Sequence, residues 1–281
     1  MSNSTKQEEG MVKHFSAPFF VFTIVASLAT YLVLFMLLAP ATWNTQFQAS
    51  IVSHVSTFLV CHFVLAIFEH LFHRYILHCP FIPGLSRFYK AHTWHHGLTH
   101  VVMKKAGIEN YYPIIEEKQH EKSFFPWYSY LVFAFVITGP LIVAQSIFVT
   151  TPVLFEGYLA LAFSISLYEL MHAKEHKPLA KWLPKLEHKN PRIRKFWRTA
   201  YAFHLRHHVD PKCNEGIGAF FGIPVADLIF GTWVNPSVLY KHGSTIDQKE
   251  FISPRPVFFI RWLDDFAERT VKRRREKLRK S

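Results

Sequence analysis

Residues 14–68 include no Asp, Glu, Lys or Arg, and neither do residues 123–155. Crossing a hydrocarbon layer about 30 Å thick takes about 20 helical residues, so each stretch exceeds one crossing and is expected to hold or begin a pair of spans. Breaks at 39–50 and at Thr150-Thr151-Pro152 divide them into spans at 18–39, 51–71, 127–149 and 153–171, with Pro40 and Pro152 as terminators. The expected fold class is all-α: four transmembrane helices in two hairpins. The alternative is a soluble all-α protein with long core helices. It sits poorly with 22 successive uncharged residues.

Charge placement tests this arrangement independently. The chain is half hydrophobic with 28 Phe, yet its formal net charge is +12. All 32 Lys and Arg fall before the first span, in 72–126 or after 171, whereas the loops 40–50 and 150–152 have none. Under the positive-inside rule this puts both termini in the cytoplasm. Host membranes that fit are the bacterial inner membrane and the endoplasmic reticulum. Ala39-Pro40-Ala41 after an apolar run also resembles a signal cleavage site, but a region of about 22 residues is longer than the 7–15 usual there, so the first span is expected to stay uncleaved. Cys61, Cys79 and Cys213 are isolated and form no C-x-x-C pair, which suits a reducing compartment.

Ten of the 18 histidines crowd into four windows: His73 and His78; His92, His95 and His96; His172 and His176; His204, His207 and His208. The first two windows follow span two and the last two follow span four, so all are expected in one cytoplasmic helical cap. Residues three and four apart share a helix face, which aligns the ligands within the last three windows. His73 and His78 are five apart and diverge on a regular helix, so a helix end at Cys79-Pro80 is expected to bring them together. Ten imidazoles are too many for one ion but suit two ions with five each. Neutral nitrogen donors fit Fe, Zn, Cu or Ni alike.

At these residues the chain resembles the fatty acid hydroxylase/sterol desaturase superfamily, over roughly residues 55–240. The resemblance implies an integral-membrane di-iron enzyme that uses O2 and two electrons to oxidise lipid, with two Fe ions held by the ten histidines and Zn an expected contaminant of purified protein. Glu69 before His73, the Tyr168-Glu169 pair before His172, and Asn214, Asp227 and Gly231-Thr232 after the last window resemble the fatty acid hydroxylases most. Glu69 and Glu169 are therefore candidates to accept the outer ring N–H of metal ligands. Their plainer role is to mark the ends of spans two and four.

The expected function is hydroxylation of a lipid, with a fatty acyl chain as substrate. Sterol or carotenoid oxidation, desaturation and zinc-dependent membrane hydrolysis are rival outcomes. A metal transporter would put its ligands at mid-membrane instead. Neither a flavin nor a nicotinamide fingerprint is present, so electrons are expected from a separate protein such as cytochrome b5 or ferredoxin. His54 and His62 are expected to bond between helices, and His70 to face away as a spectator. His100 is a weaker candidate for an eleventh ligand, and His14, His120, His188 and His242 are surface positions.

Three regions are expected: a disordered tail at 1–13, the membrane-embedded domain at 14–250, and a basic amphipathic helix and tail at 251–281. Phe259, Trp262, Leu263 and Phe266 give that helix an apolar face for membrane phospholipid, and 269–280 hold eight Lys and Arg. The basic charge follows topology rather than nucleic-acid binding. Helix with Gly/Pro turns is expected across 172–250.

Overall fold

The computed structural model describes residues 16–280, so the tail expected at 1–13, together with His14, lies outside the described residues. Four helices are long and apolar enough to cross a membrane: Ala17–Leu38, Ile51–Leu77, Ser129–Ile147 and Val153–Glu175. The helices proper are α1 (Ala17–Leu38), α2 (Pro40–Gln48), α3 (Ile51–Phe72), α4 (Ser86–Leu98), α5 (Glu117–Ser123), α6 (Ser129–Ile147), α7 (Val153–Glu175), α8 (Leu179–Leu186), α9 (Pro191–Val209), α10 (Val225–Phe230) and α11 (Phe258–Lys280). A hairpin of β1 (Val101–Lys104) and β2 (Gly107–Asn110) interrupts them.

Local chemistry sets the boundaries. Ser16 and Ser50 accept N–H bonds from Phe19 and Ser53 at the starts of α1 and α3, and Asn190 does so from Arg192 and Ile193 ahead of Pro191 in α9. The apolar stretch of α7 is 67% buried, against 17–22% for the other three, so α7 is the hub. Phe20 and Ile24 of α1 and Tyr130 and Phe133 of α6 share one core cluster with its Leu161 and Ile165.

Two hydrogen bonds reveal how α3 and α7 run. His54 meets Glu156 at 2.6 Å and His62 meets Ser164 at 2.8 Å, each pair 102 residues apart. A constant offset means that the helices lie side by side in the same direction. Their C-terminal ends, which carry His73 and His172, therefore share one end of the bundle.

Several expectations need correction. The break at 39–50 contains α2, because Pro40 is tolerated in a first turn and Trp43 packs on Phe35 and Phe155, while buried Gln46 accepts from the Phe155 N–H. The fold is not purely helical. Val101, Val102 and Ile108 favour the β1–β2 hairpin, and Gly107 at φ +116° would crowd Gly243 O at 3.1 Å if it carried a Cβ. In 172–250 the turns expected around Gly216, Gly218, Gly222 and Pro224 lie in irregular chain at 210–224, but the irregular chain at 231–247 replaces expected helix. The basic run at 269–280 continues α11 as helix rather than forming a tail. Arg74 secures α11 through a paired contact with Asp264 at 2.8 and 2.6 Å, and Arg274 donates to Pro80 O and Phe81 O.

Candidate metal centre

The helix that continues span two ends at Leu77 with His78 just past it, as expected, but its last turn is not a regular α-turn. Residues His73–Leu77 form a π turn, closed by the His78 N–H on His73 O at 3.0 Å. Because this bond spans five residues, the two imidazoles lie one turn apart on the same side, their rings 4.9 Å apart and 27° from parallel.

The ten histidines come together as two clusters. His73, His78, His92, His96 and His207 form one; His95, His172, His176, His204 and His208 form the other, and within each the ligand atoms lie within 4.8 Å of one another. The sharing follows helical phase. On α4, His92 and His96 serve the first cluster and His95 the second, while on α9 His207 serves the first and His204 and His208 the second. His100 stays outside both, half-buried and bonded to Gly97 O.

Ring tautomers can be assigned from partners. The Nδ1 of His73 meets Glu215 O at 2.6 Å, and those of His176, His207 and His208 meet Tyr112 O, Cys213 O and Thr99 O at 2.7 Å each. A carbonyl only accepts, so each Nδ1 carries the proton and each Nε2 presents a lone pair. His95 obeys the same rule through the Ser123 hydroxyl, which donates to Gln119 O and so accepts from Nδ1.

Where the facing ring also holds its proton on Nδ1, lone pairs oppose each other across short gaps. Nε2 atoms are 2.9 Å apart in His73–His92, 3.0 Å in His78–His207, 3.1 Å in His204–His176 and 3.2 Å in His172–His95. Protonation would relieve the repulsion, but burial, joined by repulsion between neighbouring imidazoles, pushes His78, His92, His95, His96, His204 and His208 well below the ordinary histidine value. Burial also holds His176 at about 3 and His207 at about 4. A metal cation resolves the crowding. With metal–nitrogen bonds of about 2.0–2.1 Å, donors at right angles sit about 2.8–3.0 Å apart and tetrahedral donors about 3.3–3.4 Å, so the observed gaps lie nearer the right-angled case. The residues therefore fit two metal ions, each with five imidazoles, and the donor set alone does not choose the metal.

The candidate carboxylates sit elsewhere than expected. Glu69 accepts the backbone N–H groups of Ile217, Gly218 and Ala219 at 2.6, 2.9 and 2.9 Å, and Glu169 accepts that of Phe125 at 2.7 Å. Neither bonds an imidazole: carbonyls occupy the outer nitrogens of His73, His176, His207 and His208, while the buried Nδ1 atoms of His172 and His204 have no hydrogen-bond partner among the described residues. Asp227 completes the hold on the same loop by accepting from the Glu215 and Gly216 N–H groups at 2.9 Å each. Five consecutive N–H groups thus point at two carboxylates, and the loop's carbonyls orient His73 and His207. Gly218 is required here, since a Cβ would lie 2.8 Å from Tyr168 N.

His70 is no spectator. Fully buried, it bonds the Thr232 hydroxyl at 2.9 Å, which donates to Asp227 at 2.7 Å. His54 and His62 do bond between helices, as expected. The participants that sequence reading missed are Thr99, Tyr112, Ser123 and the 213–219 loop. The Gly216 and Gly218 pair was the signal for the loop; backbone carbonyls leave none.

An apolar cavity of about 410 Å³ reaches His92 past Leu77, Phe88, Phe125 and Tyr168, with Val132 in its wall. A narrower one of about 60 Å³ reaches His73 from between α3, α6 and α7. Both touch only the first cluster. No family model, curated protein or solved structure matches the chain.

Proposed function

We propose that the protein is a membrane-bound oxygenase that hydroxylates a lipid, a fatty acyl chain being the substrate, with two iron ions held by the ten histidines at the cytoplasmic ends of four spans. The observation that carries this reading is the pair of five-imidazole clusters beside an apolar cavity whose wall includes His92. Two redox-active ions would supply the activation of O2 there. In the balanced reaction a C–H bond, O2, two electrons and two protons give an alcohol and water.

The protein's own groups do the rest. Leu77, Phe88, Phe125 and Tyr168 offer the chain an apolar wall, and the buried Tyr168 ring, 5.8 Å from that of His172, shields the clusters from water. The 213–219 loop, Tyr112 and Thr99 keep the imidazoles in the ligating tautomer. All donors are neutral, which leaves the charge of the ions undiminished by their ligands.

The test is iron reconstitution in lipid nanodiscs with measurement of O2 uptake and lipid mass. Reductant-dependent uptake with a gain of one oxygen on an acyl species supports the reading. Lipid cleavage by the zinc form without O2 would replace it with a hydrolase.

A further inference from the structure

We propose that an acidic one-electron carrier protein docks on the surface formed by the α7–α8 turn and α9, and that a file of aromatic rings bridges this surface to the second histidine cluster. This rests on the oxygenase reading above, which requires two electrons from outside the chain.

The surface is strongly one-signed. Residues 174–198 contain nine Lys and Arg against Glu175 and Glu187, and Glu175 is buried. A cleft of about 630 Å³ is lined by Lys174, Lys177, Lys181 and Lys185, has no acidic residue in its wall among the described residues, and reaches His176. Such a field attracts an acidic partner and orients it before contact.

A ring path leads inward from there. The ammonium groups of Lys174 and Lys185 lie 5.1 and 4.3 Å from the centre of the Trp197 ring. Trp197 is 6.1 Å from Trp182, Trp182 is 5.3 Å from Tyr201, and Tyr201 is 6.3 Å from Tyr112. Tyr112 then lies 4.4 Å from His176 and 5.2 Å from His208. Trp182, Tyr201 and Tyr112 are all buried, so the path is dry. Electron tunnelling falls steeply with distance through saturated matter, and closely spaced π systems shorten the gaps. The lipid cavities touch only the other cluster, so the two inputs do not compete for space.

Each docked carrier gives up one electron and is itself oxidised. Two successive carriers supply the pair that O2 reduction consumes, and the rings serve as tunnelling bridges without net change. An anionic lipid headgroup would satisfy the lysines equally, but it would give the inward ring path no role.

The test follows anaerobic oxidation of a reduced acidic [2Fe–2S] ferredoxin by the iron-loaded protein in neutral-lipid nanodiscs. In the triple variant Lys177→Glu, Lys181→Glu, Lys189→Glu, the second-order rate is expected to fall about tenfold or more at low salt and to lose its salt dependence. Reduction by methyl viologen radical is expected to stay at the wild-type rate. With the lysines intact, Trp182→Leu is expected to retain the salt dependence but slow the transfer, and Trp182→Phe to restore part of it. An unchanged ferredoxin rate in the triple variant overturns the docking surface, as does an effect that tracks the anionic lipid content of the disc. An unchanged rate in Trp182→Leu overturns the bridge. Failure of methyl viologen to reduce the wild type overturns the oxygenase reading itself, and the docking inference with it.

Discussion

The imidazoles of His96 and His208 lie face to face, with centroids 4.0 Å apart and planes 10° from parallel, although they belong to different clusters. Each is the second member of an i, i+4 pair, His92 with His96 and His204 with His208. The two metal positions are therefore coupled through stacked rings as well as through the adjacent His95 and His96.

This pairing predicts separable metal loss. Replacing His96 or His208 by Ala removes one of five donors from a single cluster. Each variant is expected to retain about one tightly bound ion instead of two and to lose hydroxylation. Metal analysis after chelator dialysis, alongside product assay, checks this; two retained ions with normal turnover would count against the ligand assignment.

The loop clamp predicts a one-sided defect. In Glu69→Gln the side-chain NH2 meets a backbone N–H, and charge-assisted bonds worth roughly 1.5–3 kcal/mol each weaken. Because the loop orients His73 and His207, metal affinity at their cluster is expected to fall about 10–100-fold, with the other cluster unaffected. Stepwise metal titration would distinguish this from uniform loss through misfolding.

Asp227 predicts an acid limb. Burial alone would lift its carboxyl, but the His70 ring, the Thr232 hydroxyl and the Glu215 N–H hold it below its ordinary value. As pH falls, the unfolded chain takes up the proton first. The stabilisation is therefore present above about pH 4 and decays as pH drops toward the folded value, with a limiting slope of about 1.4 kcal/mol per pH. Asp227→Asn is expected to be less stable at neutral pH and to show a flatter decline below about pH 4 in denaturation profiles of the metal-free protein.

Cavity filling predicts a change in chain selection. Ala91 lines the cavity beside His92, so Ala91→Phe narrows the route without touching a ligand. Hydroxylation of long acyl chains is expected to drop relative to shorter ones while both ions remain bound. Product profiling of mixed lipids measures the ratio; an unaltered profile would remove this cavity from the substrate path.

Uncharged runs and histidine spacing were legible because bilayer thickness and helical periodicity act on residue type directly. The ten imidazoles gather into two groups of five, and four long apolar helices overlap the expected spans. What escaped it depends on backbone. The partners of His176, His207 and His208 are carbonyl oxygens that every residue possesses, so nothing in Tyr112, Cys213 or Thr99 announced them. Glu69 and Glu169 looked like ring acceptors, but backbone N–H groups hold them instead, those of the glycine-bearing loop for Glu69 and that of Phe125 for Glu169. The short α2 and the β1–β2 hairpin escaped because tertiary packing outweighs weak local preference over so few residues.

The π turn at His73–Leu77 makes chain length itself a specification. Its extra residue lets Arg74, next to a ligand, turn away to grip Asp264 on the last helix while His78 still aims inward. Deleting one residue between the two histidines would leave them four apart, a spacing that an ordinary α-turn can serve. Inserting one would put them six apart, where neither kind of turn brings both rings to the same side.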